Sequence, residues 1–323
     1  MNIFRKIKYK RLFIFIFILI SLFFIKNIFS YSKTTTNLEN DIILEIPKLS
    51  SLYEIATILE NKNVINNKYS FIIYSIFSGY SKQLKAGEYI FSKDSTKKSI
   101  LSKLYTNKVK LYKVLIPECY SNKQIYFKLS NYFTDLKTKK IFTEGDFFPS
   151  TYYFSKDTKI ESLLDMMNRK AENNFTKIYN NYKENVSNIL KNKKEVLILA
   201  SIVEAEAKFK DEKKKIAAVF LNRLKVGMKL QSDPTVIYGI HKQVNKRNIL
   251  SKNDLLINHK WNTYKIYGLP PTPICNVGID AFYAVLNPEK NDYMYFVSDK
   301  KGRHIFSKTY KEHRENIKNI YKK

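Results

Sequence analysis

Two cysteines, four histidines and one tryptophan in 323 residues leave little material for a disulfide framework or a metal centre. Cys119 and Cys275 lie far apart, form no CxxC pair and have no clustered histidines near them. The sequence therefore predicts no metal site and no cofactor. It predicts two unpaired, buried thiols, with a disulfide between them left open. Acidic residues are also short, 29 against 57 Lys and Arg, for a formal net charge of +28. Such a balance invites an acidic partner. The lysines, however, run along the whole chain in company with Asn, Ile and Tyr, as a general A and T codon bias produces. Solvated faces are the first reading of the charge; attraction to an acidic polymer or a membrane surface is the alternative. No RNP-like, zinc-finger or helix-turn-helix pattern is present, so nucleic acid is not expected as a partner.

A cleavage site is missing as well. Arg5, Lys6, Lys8, Lys10 and Arg11 precede the apolar run LFIFIFILISLFFI at residues 12–25, which continues past Lys26 to Ile28 and Phe29. Roughly 18 residues is the lower limit for crossing a bilayer, and Lys26 can snorkel to the interface. A secretory signal would carry a shorter apolar stretch and a small-x-small site, which residues 27–31 (NIFSY) do not supply. An uncleaved anchor over residues 12–29 is predicted. The basic cluster keeps residues 1–11 cytoplasmic and sends the remainder outward.

Residues 30–40 are polar and aperiodic, as in a linker. Ile42–Ile46 then reads as a strand closed by Pro47, and Ser50 or Ser51 can cap a helix with Leu52, Ile55, Ile58 and Leu59 on one face. The same pattern returns 70 residues later. Val114–Ile116, Pro117, Ser121, Ile125 and Leu129 echo the earlier strand, Pro47, Ser51, Ile55 and Leu59. A true repeat and a coincidence of common α+β grammar both remain open. Gly87 marks a turn before a short strand, and Lys97–Tyr105 reads as a helix. Residues 143–154 (TEGDFFPSTYYF) form an aromatic loop, suited either to sugar faces or to filling a core. Lys159 to about Asn188 is a long helix with Ile160, Leu163, Leu164 and Met167 on one side. The expected class is α+β, with a small unit at 41–115 and a larger one at 116–323.

Glu195 to about Lys208 reads as a core-seeking helix interrupted by one acid, Glu204. In helical geometry Glu204 neighbours Leu197, Ala200 and Ser201, so desolvation would raise its pKa, as a proton donor near neutral pH requires. The competing reading is an ordinary Glu204–Lys208 pair on a solvated face. Glu206 lies about 200° further round the helix and cannot complete a two-carboxylate site on one face. A single acid/base suffices where a hydroxyl of the substrate itself attacks the glycosidic carbon. The polar turn Gln231-Ser232-Asp233-Pro234-Thr235 has no apolar reason to exist and is expected against this acid.

Several blocks carry a resemblance: Ser201-Ile202-Val203-Glu204-x-Glu206, Ala218-Val219-Phe220-x-Asn222-Arg223-Leu224, and Gly227-Met228-x-Leu230 to Thr235, Val236-x-Tyr238-Gly239. Asn262-Thr263-Tyr264, Gly268 to Pro271, Pro273-Ile274, Asn276-x-Gly278, Tyr295-Phe296-Val297 and Gly302-x-His304-x-Phe306 follow in order. With Glu144-Gly145, Pro149 and Thr151-Tyr152 upstream, the chain resembles the endolytic murein transglycosylase (YceG-like) family over nearly its whole length. Residues 41–110 resemble a LysM-like strand-helix-helix-strand module. Four positions depart from the family pattern: Cys119, Ser150, Thr272 and Val277.

The resemblance implies a membrane-anchored enzyme whose partner is the glycan strand of nascent peptidoglycan. It would cut the β-1,4 bond between N-acetylmuramic acid and N-acetylglucosamine, leaving 1,6-anhydro ends, with Glu204 as catalytic residue. Gln231, Asp233, Thr235, Tyr238, Asn262 and Tyr264 are the implied substrate-holding positions, though each has a structural reading too. Peptidoglycan synthases are the protein partners this reading admits, and the sequence names none. A hydrolytic muramidase and a non-catalytic glycan-binding scaffold are the alternatives.

Overall fold

The computed structural model describes residues 2–244 and 250–321, with the side chains of residues 2–11 and Phe24 left out. The basic cluster Arg5 to Arg11 thus lies on a described helix but outside the described side chains. The chain divides into two compact units, Met1–Tyr112 with Tyr153–Asp157, and Lys113–Tyr152 with Thr158–Lys323.

The first unit opens with helix α1 (Asn2–Lys33), which carries one stretch long and apolar enough to cross a membrane, Leu12–Lys33, whose most apolar 18 residues are not buried. The helix continues four residues beyond Phe29, and Ile28 and Tyr31 near its end pack on the unit's core. Next come β1 (Ile42–Ile46), α2 (Leu52–Asn61), α3 (Lys68–Phe77), β2 (Gly87–Phe91) and α4 (Lys97–Tyr105). Antiparallel pairing sets Ile42 opposite Phe91 and Ile46 opposite Gly87, so Leu44 and Ile46 face inward while Ile43 and Glu45 face out. Gly87 has φ 143°, and a Cβ there would lie 2.6 Å from Val109 Cγ1. The polar stretch after α1 is tied down by Lys97. Its buried ammonium donates to the carbonyls of Thr35 (2.9 Å) and Val64 (3.2 Å).

The sequence places α2, α4 and both strands but not α3. The KYSFIIYSIF segment is apolar on too many sides to show a clear face, and Asn67 caps it through a bond to the Ser70 N–H.

The larger unit takes up the chain within β3 (Tyr112–Ile116), followed by α5 (Asn122–Leu129). The 70-residue echo is present in local structure. Strands 42–46 and 112–116 share the offset. Ser51 and Ser121 both form capping boxes, with Glu54 and Gln124. Leu49 and Cys119 both hold positive φ, 64° and 59°. The aromatic stretch is half strand, β4 (Ser150–Phe154), paired with β3. Strand alternation there buries Tyr152, and Phe147 is wholly buried in the loop before it, beside Phe142 and Tyr126. Those rings fill a core.

Helix α6 (Ile160–Tyr182) buries Ile160, Leu163, Leu164 and Met167 as its spacing predicts. It stops at Tyr182, before Asn188, where a short 3-10 turn over Lys183–Asn185 takes over. Then follow α7 (Lys193–Glu206), α8 (Lys213–Lys225), α9 (Asp233–His241), α10 (Ile279–Leu286), the hairpin β5 (Tyr295–Ser298) and β6 (His304–Ser307), and α11 (Tyr310–Tyr321). The mixed α+β class expected from the sequence is the class found.

Helix α7 is the axis of this unit. Every residue from Ile198 to Ala205 is buried, with α6, α8, α9 and α10 packed around it. A helix covered on all sides needs apolar residues on all sides. Among those eight only Ser201 and Glu204 are polar. Fully burying Leu199, Ile202 and Val203 contributes roughly 1.5–3 kcal/mol each, which offsets the several kcal/mol that burying one carboxylate costs.

Candidate active site

Ser201 settles its polarity locally. Its hydroxyl donates to the Ile198 carbonyl (2.7 Å) and accepts from the Ile274 N–H (3.0 Å), which fastens the 273–278 loop to α7. One turn later Glu204 meets the same loop. Its Oε2 accepts from the Gly278 N–H at 3.1 Å, and its Oε1 accepts from Lys213 Nζ at 2.7 Å. The side chains of Glu204 and Lys213 are only 4% and 6% exposed. The pairing on a solvated face is therefore overturned: α7 ends at Glu206, Ala207 is extended, and Lys208 leaves the helix line. The partner is nine residues on, at the first turn of α8.

A second carboxylate shares that lysine. Glu118 Oε2 lies 3.6 Å from Lys213 Nζ, and its side chain is 49% exposed. Burial raises the pKa of Glu204 above the ordinary carboxylate range. The Lys213 ammonium and the Gly278 N–H pull it down, and the charge of Glu118 pushes it up. A carboxyl with a raised pKa, anchored on both oxygens, is equipped to lend and recover a proton.

A second, half-buried acid lies in the same unit. Both oxygens of Glu144 accept from the Asn122 N–H (3.1 and 3.0 Å) at the start of α5, and Tyr238 bonds to it. Burial, the largest influence, raises Glu144 to about 7. Its ionised form is disfavoured by folding. The associated stability is complete below the unfolded value of 4.5 and is lost as pH rises through about 7. Glu144→Gln should remove on the order of 2 kcal/mol of that decline. Urea unfolding followed by Trp261 fluorescence, at pH 5 and pH 8, measures it. Equal declines in the native chain and the variant would assign the pH dependence elsewhere.

The polar turn is bonded to α7 through Glu206, not Glu204: Ser232 Oγ donates to Glu206 Oε1 at 2.6 Å. Gln231 is exposed with φ 51°, and its N–H donates to the Thr263 carbonyl (3.1 Å). Asp233 is exposed and accepts from the Tyr264 hydroxyl at 2.6 Å. Gln231 and Asp233 are thus exposed and Tyr264 is half-buried. Thr235 and Asn262 are buried and spent on the fold. Thr235 Oγ1 donates to the Ser232 carbonyl (2.6 Å), and Asn262 Nδ2 donates to the carbonyls of Leu255 (3.0 Å) and Ile257 (2.7 Å). Tyr238 is buried too, edge-on to Trp261.

Lys213, Glu118 and Glu144 escape a reading by helical spacing because each reaches its partners across a helix break or from a distant loop. The two cysteines are free. Cys275 is buried as expected, with its thiol pushed well up by burial and hydrogen-bonded to the Cys119 thiol. Cys119, expected to be buried, is only half-buried, because it sits in the surface turn after β3 beside the exposed Glu118.

Comparison with known proteins adds the family. A Bacillus subtilis (strain 168) protein named endolytic murein transglycosylase is 36% identical over 318 residues, 87% of this chain and 84% of its own length. A protein of the same name from Streptococcus pneumoniae serotype 2 (strain D39 / NCTC 7466) is 28% identical over 87% of this chain, which spans 58% of that longer relative. A crystal structure of a yceG-like protein from Listeria monocytogenes superposes with a TM-score of 0.54 at 33% identity, over 86% of this chain and 99% of its own. Residues 44–319 match the YceG-like family, and the chain belongs to it.

Proposed function

We propose that this protein is a membrane-anchored lytic transglycosylase, a lyase that cuts peptidoglycan glycan strands internally, with Glu204 as its one acid/base. The observation that carries the reading is the buried Glu204 carboxyl at the end of α7, held by Lys213 and the Gly278 N–H with its pKa raised. The name shared by the Bacillus and pneumococcal relatives supports the substrate class.

The bond cut is the β-1,4 link between N-acetylmuramic acid and N-acetylglucosamine. Protonated Glu204 gives its proton to the glycosidic oxygen as the bond to C1 breaks. The C6 hydroxyl of the muramic acid then attacks C1 and returns a proton to Glu204. A 1,6-anhydro end forms, no water is consumed, and the acid is regenerated. Gln231 and Asp233 on the polar turn, with Tyr264 bonded to Asp233, hold the sugar. Thr235, Tyr238 and Asn262 act beneath them by shaping the loops.

The apolar stretch at residues 12–29 of α1 is the single-pass anchor, with the basic tail on the cytoplasmic side and the residues beyond about 30 outside. The strand-helix-helix-strand order of residues 42–91 supports a LysM-like role in holding glycan near the membrane, where peptidoglycan synthases would lay it down. A hydrolytic muramidase is the second reading, and Glu118 favours it as a second carboxylate on the same lysine. The detergent-solubilised full chain, given purified murein, should create new ends within strands that are lighter than reducing ends by one water. New reducing ends would favour the hydrolase, and no new ends would leave only binding.

A further inference from the structure

Glu204 and Lys213 pose a chemical problem. The Lys213 ammonium, 2.7 Å from Glu204, works against the protonation that burial favours and occupies Oε1, and a general acid needs the reverse on both counts. The structure places a second acceptor beside that ammonium. Glu118 Oε2 is 3.6 Å from Lys213 Nζ, so a shift of about 1 Å would carry the lysine from one carboxylate to the other.

Glu118 is not a wandering surface acid. Its loop is pinned to the 273–278 loop by two backbone bonds, Cys119 N–H to the Asn276 carbonyl and Asn276 N–H to the Tyr120 carbonyl, both 2.9 Å. Cys119 adopts φ 59° within that pinned turn. The side chain lies over Gly278, where a Cβ would come within 2.0 Å of Glu118 Oε1. Gly278 has ordinary φ as the residue before α10, so space rather than backbone freedom is what a side chain there would violate. One glycine thus presents its N–H to Glu204 and its bare Cα to Glu118.

We propose that Glu118 is a positioning residue for Glu204: it takes up Lys213 when substrate arrives, freeing Oε1 for the glycosidic oxygen and leaving the proton on Glu204. This rests on the reading of Glu204 as the acid/base. With both acids ionised, two carboxylates face one ammonium, and a single proton neutralises the cluster. The more buried acid is the one that gains most from carrying it.

The other groups around the cluster do not substitute for Glu118. Lys210 faces Glu118 but is engaged with Asp280 at 2.6 Å. From the loops, Cys119 and Cys275 contribute thiols, and Glu144 and Tyr238 interact electrostatically with Cys275.

Glu118→Gln preserves the shape over Gly278 while removing the charge that competes for Lys213. In the full chain in detergent, kcat on murein should fall about tenfold at pH 8 with KM within about twofold. The alkaline limb of the kcat–pH profile should move down by about one unit, since Glu204 then keeps the whole lysine and gives up its proton sooner. Glu118→Asp, which restores the charge, should return the limb toward its native position. A profile that only scales down, with its limb unmoved in Glu118→Gln, overturns the proposal, as does failure of Glu118→Asp to restore it. Glu204→Gln, assayed alongside, separates the two levels. Cleavage by that variant would remove the acid/base reading and this proposal together, whereas an inactive Glu204→Gln beside an unshifted Glu118→Gln would overturn the proposal alone.

Discussion

Glu204→Gln is expected to lower strand cleavage by about 10³-fold or more while the fold persists. General acid–base catalysis by one positioned group is worth about 10²–10⁴ in rate, and here one group is asked to serve both halves of the reaction. Gln fits the same volume, keeps an oxygen for Lys213 and cannot transfer a proton. Trp261 fluorescence and far-UV circular dichroism should therefore match the native chain. Glu206→Gln supplies the contrast. Its carboxylate binds the Ser232 hydroxyl, so the change should loosen the 231–235 turn and cost activity within about tenfold. Comparable losses in the two variants would show that the pair acts through the turn and not through a proton.

Lys213→Met should produce the largest loss of stability. The substitution keeps an unbranched stem but leaves Glu204 buried without its cation. Breaking a buried pair by removing one partner costs about 3–5 kcal/mol. The effect has a pH signature. Burial already raises the folded pKa of Glu204, and without Lys213 it rises further. The deficit should therefore be small below the ordinary carboxylate range, where Glu204 is protonated in both states, and should grow as pH rises through it. Urea unfolding at pH 4 and pH 7 reads the difference. An equal deficit at both values would mean that lost packing, not stranded charge, sets the cost.

The sequence exposes what local physics decides. Pro47 closes the strand at Ile42–Ile46, the Gly87 turn announces the strand at Gly87–Phe91, capping serines mark the starts of α2 and α5, and the apolar run of α1 identifies itself. Glu204 is legible as an oddity, an acid in a helix that is otherwise fully covered. Its surroundings are not legible. Lys213 arrives after a helix break and a 3-10 turn over Lys210–Glu212, and Glu118 arrives from 86 positions earlier in the chain. The turn at Gln231 was expected against Glu204, yet it bonds to Glu206 two residues on. Helical spacing fixes only that the two acids point different ways. Which loop meets which acid is settled by tertiary packing, through bonds such as Ser201 to Ile274 and Thr235 to Thr263.

The central claim is that a hydroxyl of the sugar, not water, takes the place of the leaving group. Digestion of murein by the full chain in oxygen-18 water, with mass spectrometry of the new muramyl ends, tests it most directly. Ends lighter by one water and free of the heavy isotope are the predicted result. Reducing ends carrying one oxygen-18 would mean that water is the nucleophile and would contradict the account.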